Sequence, residues 1–215
     1  MKKTSLYLFI VLLLSVIIVN PVFSQSKAMN KQLKKEYKKK IKEFEKEGWK
    51  VTGSSRTLEV LLLQHYEKLN SGDYKELEAY VSNCKSMNVC KQNALNNALT
   101  YYASAAGSYV KGRITSDLQN DQTKAEGEFD KLYAAYERLV GKEIKGEVIE
   151  SFSVYRDNGD TKEYRTFYLI SEAEASKARL RALEQAFQET KVAQEYARKI
   201  SEFVNEGFEV AKPEK

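Results

Sequence analysis

From Glu163 to Phe187 the chain reads EYRTFYLISEAEASKARLRALEQAF, a run of strand formers that passes into a helical pattern with no Gly or Pro between them. Tyr164, Phe167, Tyr168, Leu169 and Ile170 are aromatic and aliphatic residues of the kind that pack on a pleated surface. Ser171 followed by Glu174 has the spacing of a capping box, in which hydroxyl and carboxylate each satisfy an unpaired N–H at a helix start. A strand delivered directly into a helix needs a sheet for that helix to cover, and the residues just upstream supply a partner. Ile144 to Arg156 is strand-like, Asn158-Gly159 is a strong hairpin signal, and Thr161 to Ile170 returns. The DNGD at this turn superficially resembles a calcium loop, but it lacks the alternating ligands and distal Glu of one, and it reads as a turn.

The rest of the chain reads as helices with short extended pieces. Gly48 ends a first helix, and Trp49 to Gly53 is extended. In RTLEVLLLQHYEKLN, Leu58, Leu61, Leu62, His65 and Leu69 share one helical face, which Val60 and Leu63 widen, so burial is expected. Asn70 to Asp73 is a turn. Glu76 to Cys84 fits helix or strand, with strand favoured for its second half. From Asn88 an Ala-rich helix is expected to run to Gly107, a residue suited to a helix C-terminus. Tyr109 to Asn120 then reads as extended chain, an edge strand or flap. Glu128 to Gly141 is helical, with Phe129, Leu132, Tyr133, Tyr136, Leu139 and Val140 on its apolar side. After Ser171 one helix is expected to continue to Gly207 through Leu180, Leu183, Phe187, Ala193, Tyr196, Ile200 and Val204. At 1.5 Å per residue it would reach about 50 Å. That exceeds a small sheet, so its far half is expected to pack on the N-terminal helix or on a second copy of the chain.

The first residues carry the marks of export. Lys2 and Lys3 precede an apolar run from Leu6 to Val19, Asn20-Pro21 breaks it, and Val22-Phe23-Ser24 offers a signal-peptidase site. Cleavage after Ser24 is expected, with Ala28 the alternative position. The competing reading is an uncleaved anchor, but the 14 residues from Leu6 to Val19 fall short of the roughly 20 that a spanning helix needs. No cysteine lies near the cut, so a lipid anchor on cysteine is not expected. An oxidising compartment in turn makes Cys84 and Cys90 a candidate disulfide. On one continuous helix they would be separated by about 9 Å of rise, beyond the roughly 7 Å that a bridge spans. Cys84 is therefore expected to end a strand and Cys90 to begin a helix. Metal binding by the two thiols is the poorer reading, since no histidine lies nearby.

Residues 27–47 hold nine lysines and four glutamates, a charge of +5. After Ser24 the chain has 33 basic and 30 acidic residues, +3 in all, so everything outside this stretch sums to −2. Leu33, Tyr37, Ile41 and Phe44 form one narrow apolar stripe. Two readings stand. In one, Lys34, Lys35, Lys38, Lys39 and Lys40 touch an anionic surface, lipid head groups or an acidic envelope protein. In the other, the helix docks by its stripe and its lysines are simply solvated.

The chain contains no nucleophile-elbow pattern, phosphate-cradling glycine loop or two-histidine zinc motif. His65, the single histidine, sits on an apolar face, where core or boundary packing is the ordinary role. Asp117, Asp121, Glu126, Glu128 and Asp130 cluster in sequence as any solvated surface does. No catalytic site, metal or cofactor is expected, and nucleic-acid binding is disfavoured by charge balance outside the one helix. A hydrolase acting on envelope material is the alternative, because carboxylate and nucleophile spacings are set in space rather than along the chain.

NALNNALTYYASAAGSYVKGRI, followed by VIESFSVYRDNGDTKEYRTFYLISEAEASKARLRALEQA, resembles the Lpp-twenty family of small bacterial envelope lipoproteins and its relatives in Bacteroides-type bacteria. The likeness covers about residues 75–190 and implies an α+β fold, residence at or beside the outer membrane, and no established enzymatic site. This chain departs from the lipoprotein pattern in having no cysteine after the leader, which favours a periplasmic form without a lipid. The expected organisation is a signal peptide at 1–24, a basic helix at 25–47, an α+β domain at 48–207 and a disordered tail at 208–215. That domain is expected to be a small antiparallel sheet with a strong C-terminal hairpin, packed against several helices. The expected function is that of a noncatalytic exported envelope protein in a Gram-negative bacterium, with an anionic surface, an envelope protein or a second copy as partner.

Overall fold

The sheet that the hairpin requires is present in the computed structural model, which describes residues 34–117, 122–191 and 194–208. The expected signal peptide lies outside the described residues. The chain divides into two units, Met1–Glu47 and Gly48–Lys215. In the first, residues 34–46 form helix α1. The second runs β1 (Lys50–Thr52), α2 (Leu58–Asn70), β2 (Tyr74–Cys84), α3 (Met87–Asp117), α4 (Gln122–Ile144), β3 (Val148–Asn158), β4 (Thr161–Ser171), α5 (Glu172–Glu189) and α6 (Gln194–Glu206). The class is α+β, with a four-stranded antiparallel sheet in the order β1-β3-β4-β2.

Strand β4 lies inside the sheet and is covered on both faces, so Glu163 through Ile170 are all buried. Tyr164, Thr166, Tyr168 and Ile170 look one way, level with Leu77, Ala79 and Val81 of β2, into the main core beneath α3 to α6. Glu163, Arg165, Phe167 and Leu169 look the other way, toward α2. Helix α3 presents Ala94, Ala98, Tyr102 and Ala106 to the core, and α5 presents Ala175, Ala178, Ala182 and Ala186. The alanines let helix backbones approach closely, and close-packed cores gain dispersion contacts from that approach.

Two one-residue irregularities decide which face key side chains reach. In β2 the register shifts between Val81 and Cys84, where Asn83 adopts φ +57°, a conformation Asn tolerates better than most residues. The extra residue turns Cys84 onto the core side, where it bridges Cys90 across a Cα–Cα distance of 5.4 Å. Cys84 ends its strand and Cys90 lies in the first turn of α3, as the spacing predicts. In β3 the register shifts between Glu150 and Phe152, which adds Ser151 to the α2 side.

Several local expectations are corrected. Helix α3 does not stop at Gly107 but continues to Asp117, so residues 109–117 are helical rather than an extended flap. Gly107 is not a terminus; a β-carbon there would lie 3.3 Å from Cβ of Glu137 on α4, so the glycine permits helix contact. The long C-terminal helix is two helices, broken between Glu189 and Gln194. Ile200, Phe203 and Val204 of α6 are buried in the same core, leaving no overhanging half. Ser171 occupies the N-cap of α5 but makes no side-chain cap bond. The first N–H of that helix instead donates to the Asp73 carbonyl at 3.1 Å, and Glu174 pairs with Lys177. The hairpin loop is Gly159-Asp160, one residue later than the Asn-Gly signal, with Gly159 at φ +62°, as a loop with glycine first requires. On α2, Val60 and Leu63 are exposed rather than buried.

Candidate functional site

On the face of the sheet that carries α2, three residues from three elements form one hydrogen-bonded chain. Thr57 caps α2, accepting from the Val60 N–H, and seven residues into that helix His65 points down onto the sheet, 1% exposed. Its Nδ1 lies 3.0 Å from Ser151 Oγ on the β3 bulge. Its Nε2 lies 2.6 Å from Glu76 Oε2 on β2. An ionised carboxylate can only accept, so in the neutral imidazole Nε2 carries the proton and donates to Glu76, and the Nδ1 lone pair accepts from the Ser151 hydroxyl. In that tautomer the serine proton is directed at a base, and the Glu76 carboxylate orients the ring.

The imidazole is also fixed sterically. Phe152 and Phe167 stack at 4.5 Å, and His65 meets both edge-on, at 5.4 and 6.0 Å. Tyr66 closes another side at 5.8 Å. Ser151 is only half-buried. Strand β1 pairs with Ser153 to Tyr155 alone, so among the described residues no strand lies on the outer side of the stretch of β3 that carries Ser151. Like Ser151, Glu76 is half-buried, and the histidine between them is fully buried.

Farther along this face, the charges are matched. Arg165 donates to Glu78 through both Nε and a terminal nitrogen, and Arg156 pairs with Glu163 at 2.7 Å. Tyr80 donates to the same Glu163 at 2.8 Å, and burial followed by that carboxylate raises the phenol's pKa above its ordinary value. Trp49 lies beneath both guanidiniums, 4.8 and 5.7 Å from their carbons. Each charge here has its counterpart, so this half of the face reads as a brace between strands rather than a ligand platform.

No known family, curated protein or solved structure matches this chain.

Of the lysines singled out in the sequence, Lys34, Lys35, Lys38 and Lys39 are exposed on α1, while Lys40 is half-buried. Lys40 lies 3.7 Å from Glu43 and over the Phe44 ring, which separates it from the free array. Ile41 and Phe44, half of the predicted stripe, are buried. In the acidic group, Glu128 accepts from the Lys191 N–H and Asp130 faces Lys111 at 3.9 Å, while the side chains of Asp117, Asp121 and Glu126 lie outside the description. Among the described residues, no three His, Cys, Asp or Glu converge as a cation site, and no helix is long and apolar enough to cross a membrane.

Ser151 and Glu76 are the residues that sequence reasoning missed. One signal was present: Ile149, Phe152 and Val154 share a face, yet the first two are an odd number of positions apart. Strict alternation cannot do that, so the apolar spacing itself marks a bulge at Glu150-Ser151.

Proposed function

We propose that this chain is an exported protein of the bacterial envelope that docks on an anionic lipid surface through α1. The observation that carries this reading is the array of Lys34, Lys35, Lys38 and Lys39, all exposed and none in an ion pair among the described residues. The Cys84–Cys90 bridge supports an oxidising compartment. Because Ile41 and Phe44 are buried, the contact is electrostatic rather than an insertion of the stripe into acyl chains. A lysine near an anionic leaflet contributes about 1 kcal/mol, so four give a Kd on the order of 1 mM by themselves. Such docking is weak, reversible and screened by salt.

The test is co-sedimentation with vesicles of phosphatidylglycerol and phosphatidylcholine against phosphatidylcholine alone. Binding is expected only to the anionic vesicles, is expected to fall steeply between 50 and 300 mM salt (about 14 to 6 Å of Debye length), and is expected to vanish when the four lysines become Gln. Equal binding by that variant would overturn the reading.

A further inference from the structure

We infer that Ser151 is an activated nucleophile: the Ser151–His65–Glu76 chain accepts acyl groups from carboxylic esters. This goes beyond surface docking and does not depend on it, since none of the three residues lies on α1. An ordinary serine hydroxyl is a poor nucleophile because its proton has nowhere to go as the new bond forms, and a positioned base removes that obstacle. Here the base is in place, with Nδ1 3.0 Å from the hydroxyl oxygen, inside the reach that general-base transfer requires. Glu76, at 2.6 Å from Nε2, holds the productive tautomer and stabilises the imidazolium that follows, so it is a positioning residue. The roles of the two ring nitrogens are exchanged relative to the familiar serine triad, but the logic of nucleophile, base and orienting acid is preserved.

The surrounding structure fits this use better than it fits packing alone. A buried histidine needs partners only for its two nitrogens, and water or backbone would serve. This fold instead inserts an extra residue into β3 between Glu150 and Phe152 and places that residue's hydroxyl on the imidazole. Bulges commonly re-aim a side chain beside an active site. The histidine and glutamate are shielded, with 1% and 14% of their side chains exposed, which strengthens the pairing between them. Ser151 is half-buried, on a stretch of β3 that β1 does not pair with.

Ser151 Oγ forms a bond to the ester carbonyl carbon, and its proton passes to His65 Nδ1. Collapse of the tetrahedral species breaks the bond to the alcohol, which leaves with the proton from the imidazolium. The acyl-serine is released when water repeats the sequence on the same carbon.

The experiment uses the folded chain, a fluorophosphonate and p-nitrophenyl acetate. Attack on the fluorophosphonate forms an oxygen–phosphorus bond and expels fluoride. A single phosphonyl adduct is expected on intact mass analysis, located at Ser151 by peptide mapping. Its rate is expected to exceed that of other serines in the same sample by about 10²- to 10⁴-fold, the range of general-base assistance. Ser151→Ala is expected to abolish the adduct, and Glu76→Gln, which keeps shape but not charge, to slow it at least tenfold with an unchanged melting temperature. The p-nitrophenyl acetate burst is expected to follow the same order. No adduct on the wild-type chain, or an adduct at another residue, would overturn the assignment. So would labelling of Ser151 at an unchanged rate in Glu76→Gln, because a structural chain would leave the serine's reactivity indifferent to that charge. Mapping on the wild-type protein decides the matter even where a variant fails to fold.

Discussion

The guanidinium of Arg179 donates to the Tyr102 hydroxyl at 2.6 Å, joining α5 to α3 across the core. A second nitrogen donates to Glu172 at 2.8 Å, and the guanidinium carbon lies 5.4 Å from the centre of the Phe208 ring. Phe208 also stacks near Tyr109, and its carbonyl accepts from Lys75 at 2.9 Å. Although sequence position assigns Phe208 to a free tail, it is part of the core's edge.

Arg179→Ala should therefore destabilise the second unit strongly. The substitution opens a cavity at a 1% exposed site and leaves the Tyr102 hydroxyl without its donor. A loss of about 3 kcal/mol is expected in urea unfolding. Arg179→Met, which refills the volume, should recover at least half of it.

Gly207 should not tolerate a side chain. Its φ is +76°, and a β-carbon would sit 3.1 Å from Glu172 Oε1. Gly72 has a similar φ of +82° but open space around it. Both alanine variants incur the left-handed backbone cost of about 1 kcal/mol. Gly207→Ala should lose more, and the difference between the two melting temperatures isolates the contact with Glu172.

Alkaline stability should report the phenols of α4. Burial, followed by the charge of Asp130, pushes the Tyr133 hydroxyl up to about 12, and burial raises Tyr136 as well. The folded state thus holds these protons more tightly than the unfolded chain. Their contribution is complete below the unfolded value of about 10 and is lost as pH rises from there through 12. Neither hydroxyl has a hydrogen-bond partner among the described residues. Tyr136→Phe should accordingly be neutral or stabilising by up to about 1 kcal/mol at pH 7. It should also flatten the loss of stability above pH 10, as followed by circular dichroism during a pH titration.

Reduction of the Cys84–Cys90 bridge should lower stability without unfolding the protein. The bridge closes a loop with a sequence separation of only 6, for which the chain-entropy relation gives about 2 kcal/mol. Denaturation with and without dithiothreitol measures the difference, and Cys84→Ala/Cys90→Ala should match the reduced protein.

What the sequence determined by itself is what local chemistry encodes. Turn residues at 158–159 and the strand-forming run of 161–170 require the hairpin. The spacing of Cys84 and Cys90 excludes a continuous helix between them if they bridge, and the lysines of α1 stand out by count alone. Tertiary structure decided everything that depends on packing across distance. Gly107 looked like a stop signal until the nearness of Glu137 showed that it serves a helix crossing. The break between α5 and α6 could not be read because apolar positions continue on both sides of it, and only burial of Ile200, Phe203 and Val204 in the shared core selects two helices over one. The Ser151–His65–Glu76 chain was the least legible of all. Its members stand far apart in sequence, and the face each side chain reaches is set by strand register, which a single inserted residue reverses.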